Sequence, residues 1–471
     1  MENMDVKVQR SHVIPAPPTQ PSEEVPFTVF DLVAPPYHVT VLFAFTAPNP
    51  TNAALIDALA ATLPRFPLLT ARLENKRQNG RRPFFVTGSG GGAGALVVEA
   101  EVDSPLADHL PLAPSPRLAH LHAPLGDGEG GGASPTPHLL QVQINRFACG
   151  GLVVASSAHH QAADGYSMST FFHAWVDAVR SAGAPPPLGR PVPYGPGAIV
   201  PRRPPRCEFE HRGAQFRPAV SNKDAVAGGG GTANSSSTPR PEPVRVAPSE
   251  IANMTLHYTR EFVAELKAAA HNKYTTFETV SAHLWRKITA ARFGHDDPTR
   301  PTSLNVSVNG RARLGPDAVP RGFFGNVVLT ARSDSAPGAG PTTASDLVHG
   351  TLADAAAKVR AGVRAVDRRY FQSFIDFGAL HGDDEQLEPT VEDEDYVLLP
   401  DVASDSWLHL ELHKLDFGCG GRLVGVMPAT VPLDGVIVLM PSLQKEGGVD
   451  VFVALYDKHA KELRNIAYTM D

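Results

Sequence analysis

The stretch Ala158-His159-His160-Gln161-Ala162-Ala163-Asp164-Gly165 decides how this chain is interpreted. It follows the apolar run Leu152 to Ala155, which is typical of a strand. Large apolar residues then recur at helical spacing, at Met168, Phe171, Trp175 and Val179. The pattern predicts a strand, a turn and an amphipathic helix. Because a neutral imidazole near pH 7 can take a proton from an attacking nucleophile, His160 is a candidate general base.

Asp164 lies four residues after His160 and has two possible roles. It either orients the imidazole or anchors the turn. Gly165 permits the tight backbone geometry with which a loop enters a helix. A surface pair of histidines followed by an aspartate helix cap would produce the same letters, so the spacing alone leaves both interpretations open.

The length of 471 residues exceeds what one hydrophobic core usually supports, so we predict two domains. Between Ser221 and Pro248 the composition changes to glycine, serine and proline, which favours an interdomain linker. The predicted division is an N-terminal domain over residues 1–220, a crossover over 221–248 and a C-terminal domain over 249–471. Two further glycine-rich stretches, 88–94 and 126–132, are predicted as surface loops.

Strand-like and helix-like segments alternate in both halves of the chain, which favours a mixed α/β fold. Strands are predicted at His38 to Phe45, Leu139 to Phe147, Leu152 to Ala155, Leu304 to Val308, Val436 to Met440 and Val449 to Leu455. Helices are predicted around Leu55 to Leu63, Met168 to Val179, Glu261 to Ala270, Phe277 to Ile288 and Val348 to Val363.

Composition and charge exclude several classes of function. With 42 basic and 49 acidic residues the net charge is -7, so we expect no nucleic-acid partner and no binding to an anionic membrane. The three cysteines are too widely spaced for a disulfide framework or a metal site. No export signal is visible near the first residue, and the apolar runs are too short to cross a membrane. We expect a cytoplasmic protein without a bound metal.

A second signal is Asp416-Phe417-Gly418-Cys419-Gly420-Gly421, which alone would be a turn. Together with the first stretch it resembles the plant BAHD acyltransferase family, whose signatures are HxxxDG and DFGWG at this separation. The resemblance extends to Ser281-Ala282-His283-Leu284-Trp285-Arg286, Asn309-Gly310-Arg311-Ala312-Arg313 and Phe324-Gly325-Asn326. Cys419 departs from the family tryptophan, and Asn309 departs from the common aspartate.

The resemblance implies two similar chloramphenicol-acetyltransferase-like domains, each a mixed β-sheet flanked by helices. A long crossover loop would join them, and a solvent channel between them would admit CoA from one face and the acceptor from the other. His160 would lie midway along it, and Asp164 would point away and pair with an arginine. Asp416, Phe417, Gly418 and Gly420 would form a remote structural turn that supports domain packing or CoA binding.

The resemblance also suggests residues that contact substrates. Trp407 matches a family position whose indole N–H lies near the reacting carbonyl, although a buried tryptophan is often only core packing. Ser281, Arg311 and Arg313 are candidates to bind CoA, because guanidinium groups bind phosphate in a fork. Simple surface solvation is the alternative for this group.

Four further stretches resemble the grass members of the family that acylate agmatine, putrescine or tryptamine: Asn145 to Gly150, Glu208 to Gly213, Tyr370 to Phe377 and Asp405 to Leu408. A cationic amine in a partly dry channel needs a carboxylate partner, for which Asp376 and Asp405 are candidates, unless both are structural. The acidic run Asp383 to Asp395 disfavours an anionic acceptor, although such runs usually form solvated loops.

The resulting prediction is a monomeric N-acyltransferase with acyl-CoA as co-substrate and no permanent cofactor. It would transfer a hydroxycinnamoyl group to an amine. Three alternatives stay open: an O-acyltransferase that acts on shikimate, quinate or another alcohol, a benzoyl-CoA:amine transferase, and a CoA-pocket protein without turnover.

Overall fold

The structure is a computed structural model of the chain. It describes residues 4–18, 20–74, 82–125, 136–181, 191–218, 246–293, 297–335, 338, 340–382, 387–390 and 399–470. Three stretches discussed above lie wholly or largely outside these ranges: the glycine-rich loop 126–132, the crossover 221–248 and the acidic run 383–395. The loop, linker and acidic-loop predictions made for them concern residues outside the described ranges.

The strands are, in chain order, β1 Val6–Ile14, β2 Glu23–Pro26, β3 His38–Phe45, β4 Arg72–Glu74, β5 Phe84–Thr87, β6 Ala95–Val102, β7 Leu140–Phe147, β8 Leu152–His159, β9 Phe216–Pro218, β10 Ile251–Tyr258, β11 Pro301–Thr302, β12 Leu304–Asn309, β13 Val328–Arg332, β14 Thr342–Thr343, β15 Leu387–Pro389, β16 Val402–Ser406, β17 Leu423–Pro428, β18 Val436–Pro441 and β19 Val449–Tyr456. The α-helices are α1 Val29–Leu32, α2 Asn52–Thr62, α3 Gly165–Arg180, α4 Arg260–Ala269, α5 Thr276–Phe293, α6 Arg311–Leu314, α7 Ala344–His349, α8 Leu352–Ala365, α9 Arg368–His381 and α10 Asp457–Ile466.

Two six-stranded mixed sheets organise the molecule. The first has the order β1-β6-β7-β8-β3-β17, with β6 and β7 parallel and the other neighbours antiparallel. The second has the order β10-β19-β18-β16-β12-β13, with β16 parallel to both β18 and β12. The predicted mixed α/β class is confirmed.

The two sheets do not divide cleanly along the chain. β17 comes from the C-terminal half, yet it pairs with β3 and places Met427 opposite Leu42 in the first sheet. A boundary at residue 249 misses this exchanged strand, because its side chains find their apolar partners across the interface. Where the two domains begin and end stays a prediction.

Each sheet buries one face under helices and presents the other to the second sheet. Phe171 and Trp175 of α3 belong to the core under the first sheet, as Leu284 of α5 does under the second. Between the sheets lies a separate apolar layer, to which β3 contributes Leu42 and β19 contributes Phe452. The halves therefore meet face to face and share a core.

The predicted strands and helices are present, with one helix divided. The apolar spacing from Val348 to Val363 predicted a single helix, but α7 ends before Gly350 and α8 begins at Leu352. The C-cap Gly350 has an extended backbone, and a Cβ there would lie 2.2 Å from the Asp346 carbonyl oxygen, so only glycine fits where the chain leaves α7. Thr351 then caps α8 by accepting a hydrogen bond from the Asp354 backbone N–H.

Several strands were not predicted from the sequence, among them β6, β10, β13, β16, β17 and the edge strand β1. β1 forms an edge of the first sheet, and most of its side chains are exposed, so the apolar alternation that marks a half-buried strand is missing. No helix of the described ranges is both long enough and apolar enough to cross a bilayer.

Candidate active site

His160 occupies the turn between β8 and α3, at the end of a strand that has neighbours on both sides. Its backbone N–H donates to the Tyr37 carbonyl over 2.9 Å, and its own carbonyl accepts from Nδ2 of Asn326 over 3.0 Å. Nδ1 of the ring is buried and makes no hydrogen bond to the described residues. Since the side chain is partly accessible, Nε2 is the nitrogen that a bound nucleophile can reach.

The adjacent His159 differs in its surroundings. It is 8% exposed, and its ring packs edge-on against His38 with centroids 5.0 Å apart. Burial, together with the neighbouring His38 and His160 rings, lowers the pKa of His159 to about 3. A base that weak stays neutral and takes no proton near pH 7. Of the two histidines, His160 is therefore the candidate base.

Asp164 does not touch the imidazole. One of its oxygens accepts from the Ser167 backbone N–H and so caps α3, while the other accepts from Arg311 over 2.7 Å and from the Val327 backbone N–H over 3.0 Å. Both charged side chains of the Asp164–Arg311 pair are largely buried. The pairing with an arginine that the resemblance implied is confirmed, and the geometry gives Asp164 the role of an anchor.

The second sheet presents a polar row toward the first. Asp405 on β16 lies beside Val438 of β18, whose side chain belongs to the layer between the sheets. On the other flank, Ser307 of β12 is hydrogen-bonded to the Asp405 carboxylate. Ser307 is exposed although β12 has paired strands on both sides, so an opening lies over this part of the sheet.

Burial raises the pKa of Asp405, although the Ser307 hydroxyl and the nearby His160 oppose the shift. The carboxylate thus lies within electrostatic reach of His160. The side chain nevertheless retains partial solvent access. Both properties fit a residue that lines an internal passage.

The facing end of the first sheet is polar as well. Its side chains on this face are His38, Thr40, Gln141, Ser157 and His159. Both amide atoms of Gln141 are buried without a hydrogen-bond partner among the described residues. The apolar layer between the sheets therefore changes into a polar region at the end where His160 lies.

Trp407 follows β16, two residues after Asp405, and its backbone N–H donates to the Leu439 carbonyl over 2.8 Å. The side chain is partly buried and packs against both apolar cores. Its indole N–H makes no hydrogen bond within the described ranges. This donor is available to a ligand, and its contact with a reacting carbonyl stays a prediction.

The three residues predicted to bind CoA are engaged within the protein. Ser281 is fully buried on α5 and shares a 2.8 Å hydrogen bond with Ser404. Arg311 is held by Asp164, and Arg313 donates to the carbonyls of Val363 and Val366. The geometry favours structural roles for all three, and their contact with CoA stays a prediction.

Asp376 on α9 is fully buried and its carboxylate is saturated. It accepts from the backbone N–H and Nε of Arg202, at 2.8 and 2.6 Å, and from the Arg206 backbone N–H at 2.9 Å. These bonds fasten the segment that leads toward the crossover. They leave no oxygen for an amine, so Asp405 is the better supported of the two predicted acceptor residues.

The Asp416 turn lies at the far end of α3 from His160. Asp416 is exposed and accepts from Arg180 over 3.4 Å, whereas Phe417 is buried between Phe45 and Trp175. Gly418 and Gly420 have φ of +76° and +93°, which glycine tolerates and other residues avoid. This turn borders a surface cavity of about 510 Å³ whose walls include Arg180, Lys414 and Arg422. Because α3 spans 16 residues, roughly 24 Å, the turn is remote from His160.

Two residues of the site were missed in the sequence. Ser307 had a signal, because Asn305, Ser307 and Asn309 alternate with apolar residues along β12. Asn326 was noted only as part of a family motif, and no local pattern announces its bond to His160. Among the described residues, no group of three histidine, cysteine or carboxylate side chains is placed to hold a metal ion.

The chain matches the model of the Transferase family over residues 4–470. It is 37% identical to tryptamine hydroxycinnamoyltransferase 2 of Oryza sativa subsp. japonica, over 94% of this chain and 93% of that protein. It is 35% identical to putrescine hydroxycinnamoyltransferase of the same organism, over 99% and 100%, and 35% identical to agmatine coumaroyltransferase-1 of Hordeum vulgare, over 96% and 94%.

Solved structures agree on the fold. Vinorine synthase superposes with a TM-score of 0.65 at 17% identity and covers 97% of this chain and 96% of its own. TRI101 of F. sporotrichioides, complexed with coenzyme A and T-2, superposes with a TM-score of 0.65 at 14% identity, over 94% and 97%. With the family match over nearly the whole length, the chain is a member of the BAHD acyltransferase family and an acyltransferase.

Proposed function

We propose that this enzyme transfers a hydroxycinnamoyl group from CoA to a primary amine, with His160 as the general base. The observation that carries the amine assignment is the place of Asp405, a partly accessible carboxylate on β16 beside Val438 of the layer between the sheets. A buried anion without an ion-pair partner is costly, and a cationic ligand offsets that cost. The names of the similar grass enzymes, which specify tryptamine, putrescine and agmatine, support the same acceptor class.

Acylation of an amine involves the transfer of two protons. The acceptor arrives as an ammonium ion and releases one proton before it can attack. The neutral amine then attacks the thioester carbonyl, while Nε2 of His160 takes a second proton. Protonated His160 returns that proton to the departing CoA sulfur. The net products are an amide, CoA thiol and one proton.

The oxyanion that forms at the thioester carbonyl must also be stabilised. The indole N–H of Trp407, two residues from Asp405, is the donor proposed for it. Thioesters are activated, so no covalent enzyme intermediate is needed once nucleophile and base are aligned. The donor is acyl-CoA, used as a co-substrate.

The test of the acceptor class is an initial-rate assay of the purified protein with coumaroyl-CoA. Agmatine, putrescine, tryptamine and serotonin are compared with shikimate and quinate, and products are identified by mass spectrometry. We expect amides from the amines and no ester. Turnover with shikimate or quinate alone would overturn the amine assignment. Repeating the assay with benzoyl-CoA separates the two donor alternatives.

The role of Asp405 is tested by Asp405→Asn, which keeps the shape and the Ser307 contact but removes the charge. We expect the KM for each amine to rise at least about tenfold, since a charge-assisted contact contributes about 1.5 to 3 kcal/mol. The KM for coumaroyl-CoA should stay within about twofold, the internal control for an intact donor site. A higher KM for agmatine and putrescine but not for tryptamine would place Asp405 beside the second, non-reacting cationic group of the first two amines. That result would contradict a contact between Asp405 and the reacting nitrogen.

A further inference from the structure

The His160 turn is hydrogen-bonded to a segment from the other half of the chain. Residues 324–327 connect the α6 region to β13 and cross the polar end of the interface between the sheets. Nδ2 of Asn326 lies 3.0 Å from the His160 carbonyl, 2.9 Å from the Gln161 carbonyl and 3.0 Å from Oδ1 of Asp31. The Asn326 amide thus donates to two consecutive backbone carbonyls, those of His160 and Gln161.

The orientation of the Asn326 amide follows from its surroundings. All three contacts of Nδ2 are acceptors, whereas Oδ1 is buried and has no hydrogen-bond partner among the described residues. The flipped amide would direct its oxygen at a carboxylate and two carbonyls, which repel it. Asn326 is 1% exposed, so solvent cannot compensate. The donor side must therefore face His160.

Asp31 fixes that orientation from behind. It lies on the one-turn helix α1, is 3% exposed, and uses its second oxygen to accept from the Thr28 backbone N–H over 2.9 Å. Burial raises the pKa of Asp31 to about 6, against the hydrogen bonds from Asn326 and Thr28 that lower it. The buried carboxylate is held in place behind Asn326 by the capping box that Asp31 forms with Thr28 at the start of α1.

The His160 ring lacks a side-chain partner that would orient it among the described residues. In a serine protease triad a carboxylate accepts a hydrogen bond from the base and fixes the orientation of the ring. Here Nδ1 of His160 has no such partner among the described residues, and Asp164 is bound to Arg311. The contacts that hold His160 are on its backbone: its N–H donates to the Tyr37 carbonyl, and its carbonyl accepts from Nδ2 of Asn326 and from the Ala163 N–H over 3.2 Å.

We propose that Asn326, oriented by Asp31, is a positioning residue for the His160 imidazole. Its hydrogen bonds to the His160 and Gln161 carbonyls, here called the clamp, fix the backbone that carries the ring. This inference rests on the proposed role of His160 as base. The clamp also couples catalysis to domain docking, because Asn326 reaches His160 only when the two sheets are packed together.

The first test compares Asn326→Ala with Ser167→Ala. Ser167 bonds the same crossing segment, since its hydroxyl donates to the Gly325 carbonyl over 2.9 Å and accepts from the Gly325 N–H over 3.1 Å, but it does not contact His160. We expect kcat to fall about 30- to 100-fold in Asn326→Ala, because small misplacements of reacting groups cost about 10²-fold. The KM values should stay within about threefold. Ser167→Ala should lower the melting temperature and keep kcat within about twofold. Equal losses of kcat in the two variants would overturn the proposal.

The second test is a double-mutant cycle under single-turnover conditions. If Asn326 acts through His160, then Asn326→Ala should have no further effect on the residual rate of His160→Ala. Multiplicative losses would show an independent structural role and overturn the clamp. Should Asn326→Ala fail to fold, Asp31→Asn replaces it in the cycle, with an expected loss of about fivefold and the same two outcomes.

The cycle also separates this inference from the proposed function. Near-normal turnover in His160→Ala would refute His160 as base, whatever Asn326 does. An inactive His160→Ala together with a fully active Asn326→Ala would refute only the clamp.

Discussion

The two signature motifs of this chain lie at opposite ends of one helix and have opposite environments. Asp164 begins α3 and is 1% exposed, bound to Arg311 and to two backbone N–H groups. Asp416 lies beside Arg180, the last residue of α3, with about half of its side chain exposed and a 3.4 Å contact to that arginine. Each is an aspartate–arginine pair, but only the first is removed from water, and it joins the segment after β8 of the first sheet to the segment after β12 of the second.

The comparison teaches that a recognisable motif does not by itself indicate chemistry. The first motif combines an anchored aspartate with a partly accessible imidazole at the polar end of the interface between the sheets. The second combines positive-φ glycines with one buried aromatic ring, and its polar groups lie at the surface. Burial and the number of partners, which the letters do not reveal, distinguish a reactive site from a structural turn.

The largest expected effect tests whether chemistry belongs to the first motif alone. His160→Ala should lower kcat by about 10²- to 10⁴-fold, the usual contribution of a general base. The matched change at the second motif, Asp416→Ala, should keep kcat within about twofold. Initial rates with coumaroyl-CoA and an amine measure both. A comparable loss of kcat in Asp416→Ala would break the comparison.

The next effect is on stability and contrasts the two aspartates directly. Asp164→Ala leaves Arg311 buried without its anion, which costs about 3 to 5 kcal/mol. For the exposed pair at Asp416 the expected cost is about 0 to 1 kcal/mol. Urea unfolding monitored by circular dichroism compares the two variants with the parent. Equal midpoints would show that burial of the first pair has no energetic consequence.

A pH titration sharpens the comparison at the support behind the first motif. The folded-state pKa of Asp31 is about 6, above its ordinary value of 3.8, so the folded chain keeps this proton after the unfolded chain has released it. The contribution of Asp31 to stability is therefore present below pH 3.8 and is lost as the pH rises through about 6. Relative to Asp31→Asn, the parent should lose about 2 kcal/mol of unfolding free energy between pH 4 and 7. A constant difference across that range would contradict this.

The smallest effect is expected at the second motif. Cys419 is exposed and stands where the family has tryptophan. Because a surface substitution away from special features changes stability by less than about 0.5 kcal/mol, Cys419→Trp should be nearly neutral. Melting temperature and kcat are measured on the same preparation. A stabilisation of several kcal/mol, or a clear change in kcat, would show that this turn contributes more than a backbone reversal.

Much of the fold was predictable because its signals are local. The apolar alternation of His38 to Phe45 and the helical spacing around Phe171 and Trp175 each describe one element and the side that it buries. Edge strand β1 was not predicted, because a strand with mostly exposed side chains lacks that alternation. The division between α7 and α8 was not predicted because apolar spacing continues across Gly350, where the backbone leaves the helical conformation.

The candidate site was predictable only in part. His160 followed from a short motif between a strand and a helix, and the aspartate–arginine pairing followed from the family resemblance. The identity of that arginine, Arg311, depends on a contact between residues 147 positions apart in the chain. Asp376 illustrates the same limit, because its partner Arg202 lies 174 residues away.

The sequence by itself determined the alternation of strands and helices, the strand–turn–helix that carries His160 and the membership of a family of acyltransferases. Periodicity and turn chemistry act over a few residues, so they are visible in the letters. Only the tertiary structure decided that β17 completes the first sheet, that Asp405 of the second sheet lies within electrostatic reach of His160, and that Asn326 is hydrogen-bonded to the His160 turn. Those contacts exist because two apolar sheet faces pack together, and packing brings together polar groups whose distance in sequence carries no signal.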